Sequence, residues 1–425
     1  MSTKIRSIRA RQILDCKARP MLEVDVYTDN GIMGRGAAPT GTSVGIHESF
    51  ILRDHDPNEY DGMSVHQAVR AVEEQIAPAL IGMDVTDQRA VDTRMIQLDG
   101  TEDKHILGGN SIYSVSIACL RAAAAEVKQP VYRYLAGRPL KTIPLPTFNI
   151  VNGGRYPDLV QGVNEFILAP WKAECVEQAV EIAVKVYQKL EEVISDYLGG
   201  RKPALGGSYG WAAPSSDPAV ILELMTRAAE QCGYGDRVAF CLDCASSEMY
   251  NSQDGTYEYN GRRVSEAELV EHMEELTRRF PLIFVEDLLD EDAWSGYEAA
   301  HQRLRRTNLI GDDFIATSLS RLQRAYDNHE IDGFILKPNQ VGSITEALDT
   351  YRFAQEHGLL AIPSGRSGGA VGDIVADLCL GLETLISKNG APKSGERLDK
   401  INSLLRASSE NPGSCLADCS RLARF

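Results

Sequence analysis

The sequence predicts an α/β protein in two parts: an N-terminal α+β domain over residues 1–136 and a β/α barrel over residues 137–425. Three observations predict this. The first part keeps its strand patterns and helix patterns apart, strands first. Beyond about residue 140, short apolar runs each end in a charged or polar residue. The steps from Glu286 to Asp312 and from Asp312 to Lys337 are 26 and 25 residues, one strand plus one helix each. Finally, 425 residues exceed one ordinary domain, and 43% hydrophobic content is enough for a substantial core.

Residues 1–60 read as strands. Met21-Leu22-Glu23-Val24-Asp25-Val26-Tyr27-Thr28 alternates as a half-buried strand does. Asp29-Asn30-Gly31 supplies a tight hairpin turn, because Asn-Gly tolerates positive φ, and residues 32–38 form the return strand. Pro39-Thr40-Gly41-Thr42-Ser43-Val44-Gly45 is too rich in glycine and hydroxyls for regular structure. It reads as a surface loop or a mobile lid. Residues 64–136 read as helices. Val65, Ala68, Val69 and Val72 recur at helical spacing, and Ser111 to Lys128 is apolar enough for a buried helix.

In the second part, residues 237–242 end at Asp243, 282–285 at Glu286 and 309–311 at Asp312. Residues 333–336 end at Lys337, and 359–363 at Ser364-Gly365-Arg366-Ser367. Ser265 with Glu268 has capping-box spacing before a helix. Such units predict a parallel barrel, with functional residues at the C-terminal ends of its strands.

A net charge of −16 argues against nucleic-acid binding but not against anionic substrates, since a bound dication inverts the local field. The first residues lack the apolar core of a signal peptide, and no run reaches the roughly 18 apolar residues that span a bilayer. A cytoplasmic protein without a membrane partner is expected. Nine cysteines show no paired metal spacing. Cys241 and Cys244 have no partner pair, and Cys415 and Cys419 would bridge only in an oxidising compartment. Most are expected to be buried thiols.

Asp243, Glu286 and Asp312 are expected to converge at the barrel mouth. Three carboxylates repel one another unless a cation sits among them, and an all-oxygen set favours Mg²⁺ or Mn²⁺. Lys337 lies one unit further round, and Lys388, after the run from Leu382 to Ile386, would face it. A lysine beside such a metal suits proton abstraction next to a carboxylate. Apolar neighbours are expected to ease loss of the Lys337 proton. Arg366 and Ser367 suit a phosphate. Singly, each acid reads equally well as a surface ion pair or a helix cap, and the lysine as a strand end in solvent.

Along nearly its whole length the chain resembles enolase. The matching segments are residues 39–48, Asn149-Ile150-Val151-Asn152-Gly153-Gly154, Val285-Glu286-Asp287, Gly311-Asp312-Asp313, residues 336–342, Gly390-Ala391-Pro392 and Glu396-Arg397-Leu398. The resemblance implies an enolase-like fold, an α+β capping domain followed by a modified (β/α)8 TIM-type barrel. It implies Mg²⁺ dependence, a homodimer or octamer, and dehydration of 2-phosphoglycerate to phosphoenolpyruvate. It places Asp243, Glu286 and Asp312 as metal ligands and Ser43 as the loop ligand of a second metal. Lys337 becomes the base, Lys388 the second lysine, and Arg366 with Ser367 the phosphate grip.

The chain also departs from the family pattern. Ser208, in Gly206-Gly207-Ser208-Tyr209-Gly210, stands where the family has the glutamate that helps the C3 hydroxyl leave. Gly365 and Tyr156 replace histidines, and Asn164 replaces a glutamine beside the retained Glu165. A serine is no general acid near pH 7, and glycine has no side chain. An altered reaction on a phosphorylated or phosphonylated three-carbon acid is therefore expected. The chemistry of carboxyphosphonoenolpyruvate synthase fits, in which phosphonoformate moves from its cytidylyl-activated form, with Arg155 meeting an extra anionic group. Ordinary dehydration with Glu165 as acid and a non-catalytic binding paralogue are the alternatives.

Overall fold

The structure, a computed structural model, describes residues 2–39, 41, 44–157 and 159–425. It opens on an antiparallel sheet of β1 (Ile5–Leu14), β2 (Pro20–Thr28) and β3 (Met33–Ala37), in that order. The alternation in β2 predicts one wet face, yet the strand is buried on both. Asp25 is only 1% exposed, because Arg11 and Arg35 cover its carboxylate; Arg35 Nε donates to it at 2.6 Å. Helices α1 (Gln88–Asp99) and α2 (Gly109–Glu126) follow. The α2 backbone lies directly on β3. A Cβ on Gly36 would stand 2.2 Å from the Ser114 carbonyl oxygen, so only glycine admits the helix this closely.

The barrel consists of β4 (Leu145–Tyr156), β5 (Leu159–Ala169), β6 (Ala239–Asp243), β7 (Leu282–Glu286), β8 (Asn308–Gly311), β9 (Gly333–Leu336), β10 (Leu360–Pro363) and β11 (Ile386–Lys388). Hydrogen bonding runs in the order β10-β9-β8-β7-β6-β5-β4-β11, and a parallel bridge between Ser364 and Lys388 closes the ring. From β6 onward neighbours are parallel, as the repeats predict. β5 is antiparallel to both β4 and β6. The reason is chain length: two residues separate β4 from β5, whereas a parallel crossover needs a dozen or more. Two helices, α3 (Val176–Tyr197) and α4 (Pro218–Gln231), then return the chain to β6.

Ile167, Cys241, Ile283, Ile310, Ile335 and Ile362 belong to an apolar cluster on the barrel strands, and a larger one packs strands against helices. The run expected before Lys388 is partly helical. Leu382 caps the helix Val375–Gly381, and the strand itself is only three residues. The capping box at Ser265 is present, with the Ser265 N–H donating to Glu268 Oε2 at 2.7 Å. All nine cysteines are free, five of them buried. Among the described residues no helix is long and apolar enough to cross a membrane. The N-terminal domain docks on the barrel through α1, whose buried Asp92 accepts the Thr345 N–H and hydroxyl at 2.9 and 2.6 Å.

Candidate active site

The strand ends bring the expected residues together because the ring is closed and the register is fixed. Asp243 ends β6 and pairs with Glu286, the last residue of β7, and with Glu165 on β5. Asp312 and Lys337 directly follow β8 and β9, and Lys388 ends β11. A cavity of about 220 Å³ at this mouth is lined by Asp243, Asp312, Lys337, Lys388, Glu165, Arg366, Ser367 and Ser208. Gly365 and Asn164 line it too.

The Lys388 ammonium lies 2.5 Å from Glu286 Oε2, 3.2 Å from Asp243 Oδ2 and 3.5 Å from Glu165 Oε2. Burial disfavours its charge, but Asp243 and Glu286 outweigh burial and hold its pKa well above the usual lysine range. Lys337 pairs with Asp312, whose other oxygen accepts from Gln340 Nε2 at 2.9 Å. This corrects the expectation of a readily deprotonated lysine. Burial does favour the neutral amine, yet the Asp312 carboxylate prevails and raises the Lys337 pKa. Burial works against the Asp312 charge, and Lys337 and Lys388 together keep its carboxyl below the usual range.

Glu286 is fully buried. Burial and then Asp243 push its pKa well up, and its Oε1 has no hydrogen-bond partner. The Glu165 carboxyl is raised too, chiefly by burial and against the pull of Lys388. Its Oε1 accepts from Asn149 Nδ2 at 2.8 Å. Among the described residues, the acids whose oxygens gather most tightly are Asp287, Asp312 and Asp313, within 4.8 Å of one another. Asp287 is already engaged, since its two oxygens accept the Asp312 and Asp313 N–H groups at 2.7 and 2.8 Å.

Arg366 is buried and donates to Glu48 Oε2 at 2.7 Å. Glu48 Oε1 accepts the Gly45 N–H at 3.1 Å, and Glu291 accepts the Ile46 N–H at 2.9 Å, which fastens residues 45–48 to the barrel mouth. Ser43 lies outside the described residues. Two expected residues do not reach the cavity. The Tyr156 hydroxyl donates back to the Asn152 carbonyl at 2.8 Å, and Arg155 forms a bidentate pair with Glu258 at 3.2 and 2.8 Å. Lys17, Ala245 and Glu248 line the cavity without having been anticipated, and Lys17, in the loop after β1, enters from the N-terminal domain. Burial lowers its pKa, as do Arg19 and Arg397. Nothing in the local pattern around Lys17 signals this, because the approach is made by another domain.

The donor set fits a hard dication. Carboxylates outnumber lysines at this mouth, every candidate ligand is an oxygen, and Glu286 Oε1 is buried without a partner. A closed barrel with acids and lysines at the C-terminal ends of its strands, covered by an α+β domain, has the layout of barrel enzymes that keep their active site at that face. Residues 5–135 match the enolase N-terminal domain, and residues 140–416 match the enolase C-terminal TIM barrel domain. The chain belongs to the enolase family.

Proposed function

We propose that the protein is a Mg²⁺-dependent enzyme that forms or binds an enolate of a 2-phosphoglycerate- or phosphoenolpyruvate-like acid, with the step after the enolate altered. One observation carries the reading. Lys337, Lys388, Asp243 and Asp312 share a cavity with Ser208, Asn164 and Gly365, none of which replaces a carboxylic acid or imidazole as proton donor. In this reading Asp243, Glu286 and Asp312 would hold the metal, which would supply positive charge to a carboxylate gaining negative charge. Lys337 takes the C2 proton on its Nζ. When Asp312 is drawn away from it, burial becomes the dominant influence and favours the neutral amine. Lys388 holds the substrate carboxylate, and Arg366 with Ser367 holds the phosphate.

Transfer of phosphonoformate from its cytidylyl-activated form, as in carboxyphosphonoenolpyruvate synthase, suits a site that keeps the enolate half and lacks the acid. CMP release on adding cytidylyl-phosphonoformate and Mg²⁺ together with 2-phosphoglycerate or phosphoenolpyruvate is expected; absence of CMP with both acids would exclude this transfer. A second reading, ordinary dehydration, is favoured by Glu165, a carboxyl in the same cavity whose pKa burial raises. A homodimer or octamer with a domain boundary at residues 136–137 belongs to the same proposal, and light scattering tests the oligomer.

A further inference from the structure

A second cleft, of about 420 Å³, opens beside the catalytic cavity. Two chain segments run from one to the other. Asn152 and Gly153 line the cavity, and Arg155, on the same strand, lines the cleft. Ala245 lines the cavity, Met249 and Tyr250 line the cleft, and Glu248 between them lines both.

Three arginines meet in the cleft: Arg155, Arg262 and Arg263. Arg262 and Arg263 follow a hairpin turn at Asn260 and Gly261, with φ of 52° and 70°, and the strands Thr256–Tyr259 and Arg262–Val264 pair across it. The turn fixes where both guanidinium groups start. Glu258 grips Arg155 by two bonds, yet 63% of the arginine side chain stays exposed. Arg263 pairs with Asp254 at 3.0 Å, and Arg262 makes no ion pair with any described residue. Tyr250 shares the cleft, its ring braced by Tyr257 at 5.1 Å between centroids. In a chain of net charge −16, the cleft wall carries three arginines against two glutamates, Glu248 and Glu258, an excess of one positive charge. Guanidinium forks match phosphate oxygens, a tyrosine ring suits a base, and the volume lies in the range of small-ligand sites.

We propose that this cleft binds the nucleoside monophosphate portion of a second substrate and delivers the group attached to its phosphate into the catalytic cavity past Glu248. The proposal rests on the group-transfer reading above. It is tested by calorimetric titration of the full chain with CMP, AMP and inorganic phosphate, alongside C2 proton exchange of 2-phosphoglycerate in D₂O. Expected is nucleotide binding at least about ten-fold tighter than inorganic phosphate, weakened about ten-fold by Arg262→Ala and similarly by Arg155→Ala. No nucleotide binding at millimolar concentration, or equal binding in both variants, would overturn it. If the wild-type protein exchanges the C2 proton but binds no nucleotide, the cleft assignment fails while the enolate reading stands. If nucleotide binding depends on the arginines but no exchange occurs, the cleft stands and the enolate reading fails.

Discussion

Ser208 lines the same cavity as Lys337, where the family pattern has a glutamate. On the proposed reading, putting the acid back should restore dehydration. Ser208→Glu is expected to raise phosphoenolpyruvate formation from 2-phosphoglycerate by at least about ten-fold, as a positioned general acid does, while Ser208→Gln leaves it unchanged. Lys337→Ala is expected to lower C2 proton exchange by about 10³-fold, read by NMR loss of the C2 signal in D₂O. A residue remote from the cavity gives a pH test. Glu330 is buried, its Oε2 lacks a partner, and burial raises its pKa to about 7. The folded state therefore holds this proton after the unfolded chain has released it. Stability is lost as pH rises from about 4.5 to 7, by about 1 kcal/mol once partial solvation is allowed for. Glu330→Gln should flatten that part of the Tm-against-pH curve. The strand-end acids and lysines were legible in the sequence because barrel register leaves them one place to go. Arg155 and Tyr156 were not. Their strand β4 runs on past the cavity, and their partners, Glu258 and the Asn152 carbonyl, are set by tertiary geometry.

At the scale of elements, apolar runs, capping spacing and the Asn-Gly turn located strands and helices directly. The direction of β5 is not carried by its apolar pattern, which is the same for either direction. It is carried by the two-residue connection from β4, too short for a parallel crossover. The burial of β2 was hidden for another reason: Glu23 and Asp25 read as solvent-facing until Arg11 and Arg35 are seen to cover them. Gly34 and Gly36 on β3 were equally silent, since their role is to admit the α2 backbone. Gly36→Ala should force strand and helix apart. It is expected to cost at least about 2 kcal/mol in urea unfolding, whereas Gly413→Ala, with open space around its Cβ, should cost less than the overpacked site does.

For the whole molecule, the N-terminal domain and the barrel build the cavity jointly. Lys17 and Gly41 line it from one side and the strand ends from the other. On the proposed reading, the surplus carboxylates at the mouth would hold a dication in the folded state and not in the unfolded chain. Millimolar Mg²⁺ should raise Tm by about 3 °C and a chelator should reverse it; an unchanged Tm would argue against a metal held among Asp243, Glu286 and Asp312. In the proposed reading the proton-abstracting half of the site retains its residues, and the half that would expel hydroxide does not. Incubation with 2-phosphoglycerate and Mg²⁺ in D₂O separates the two halves most directly. Deuterium at C2 with little or no phosphoenolpyruvate is the expected result. Phosphoenolpyruvate forming as fast as deuterium enters C2 would contradict it.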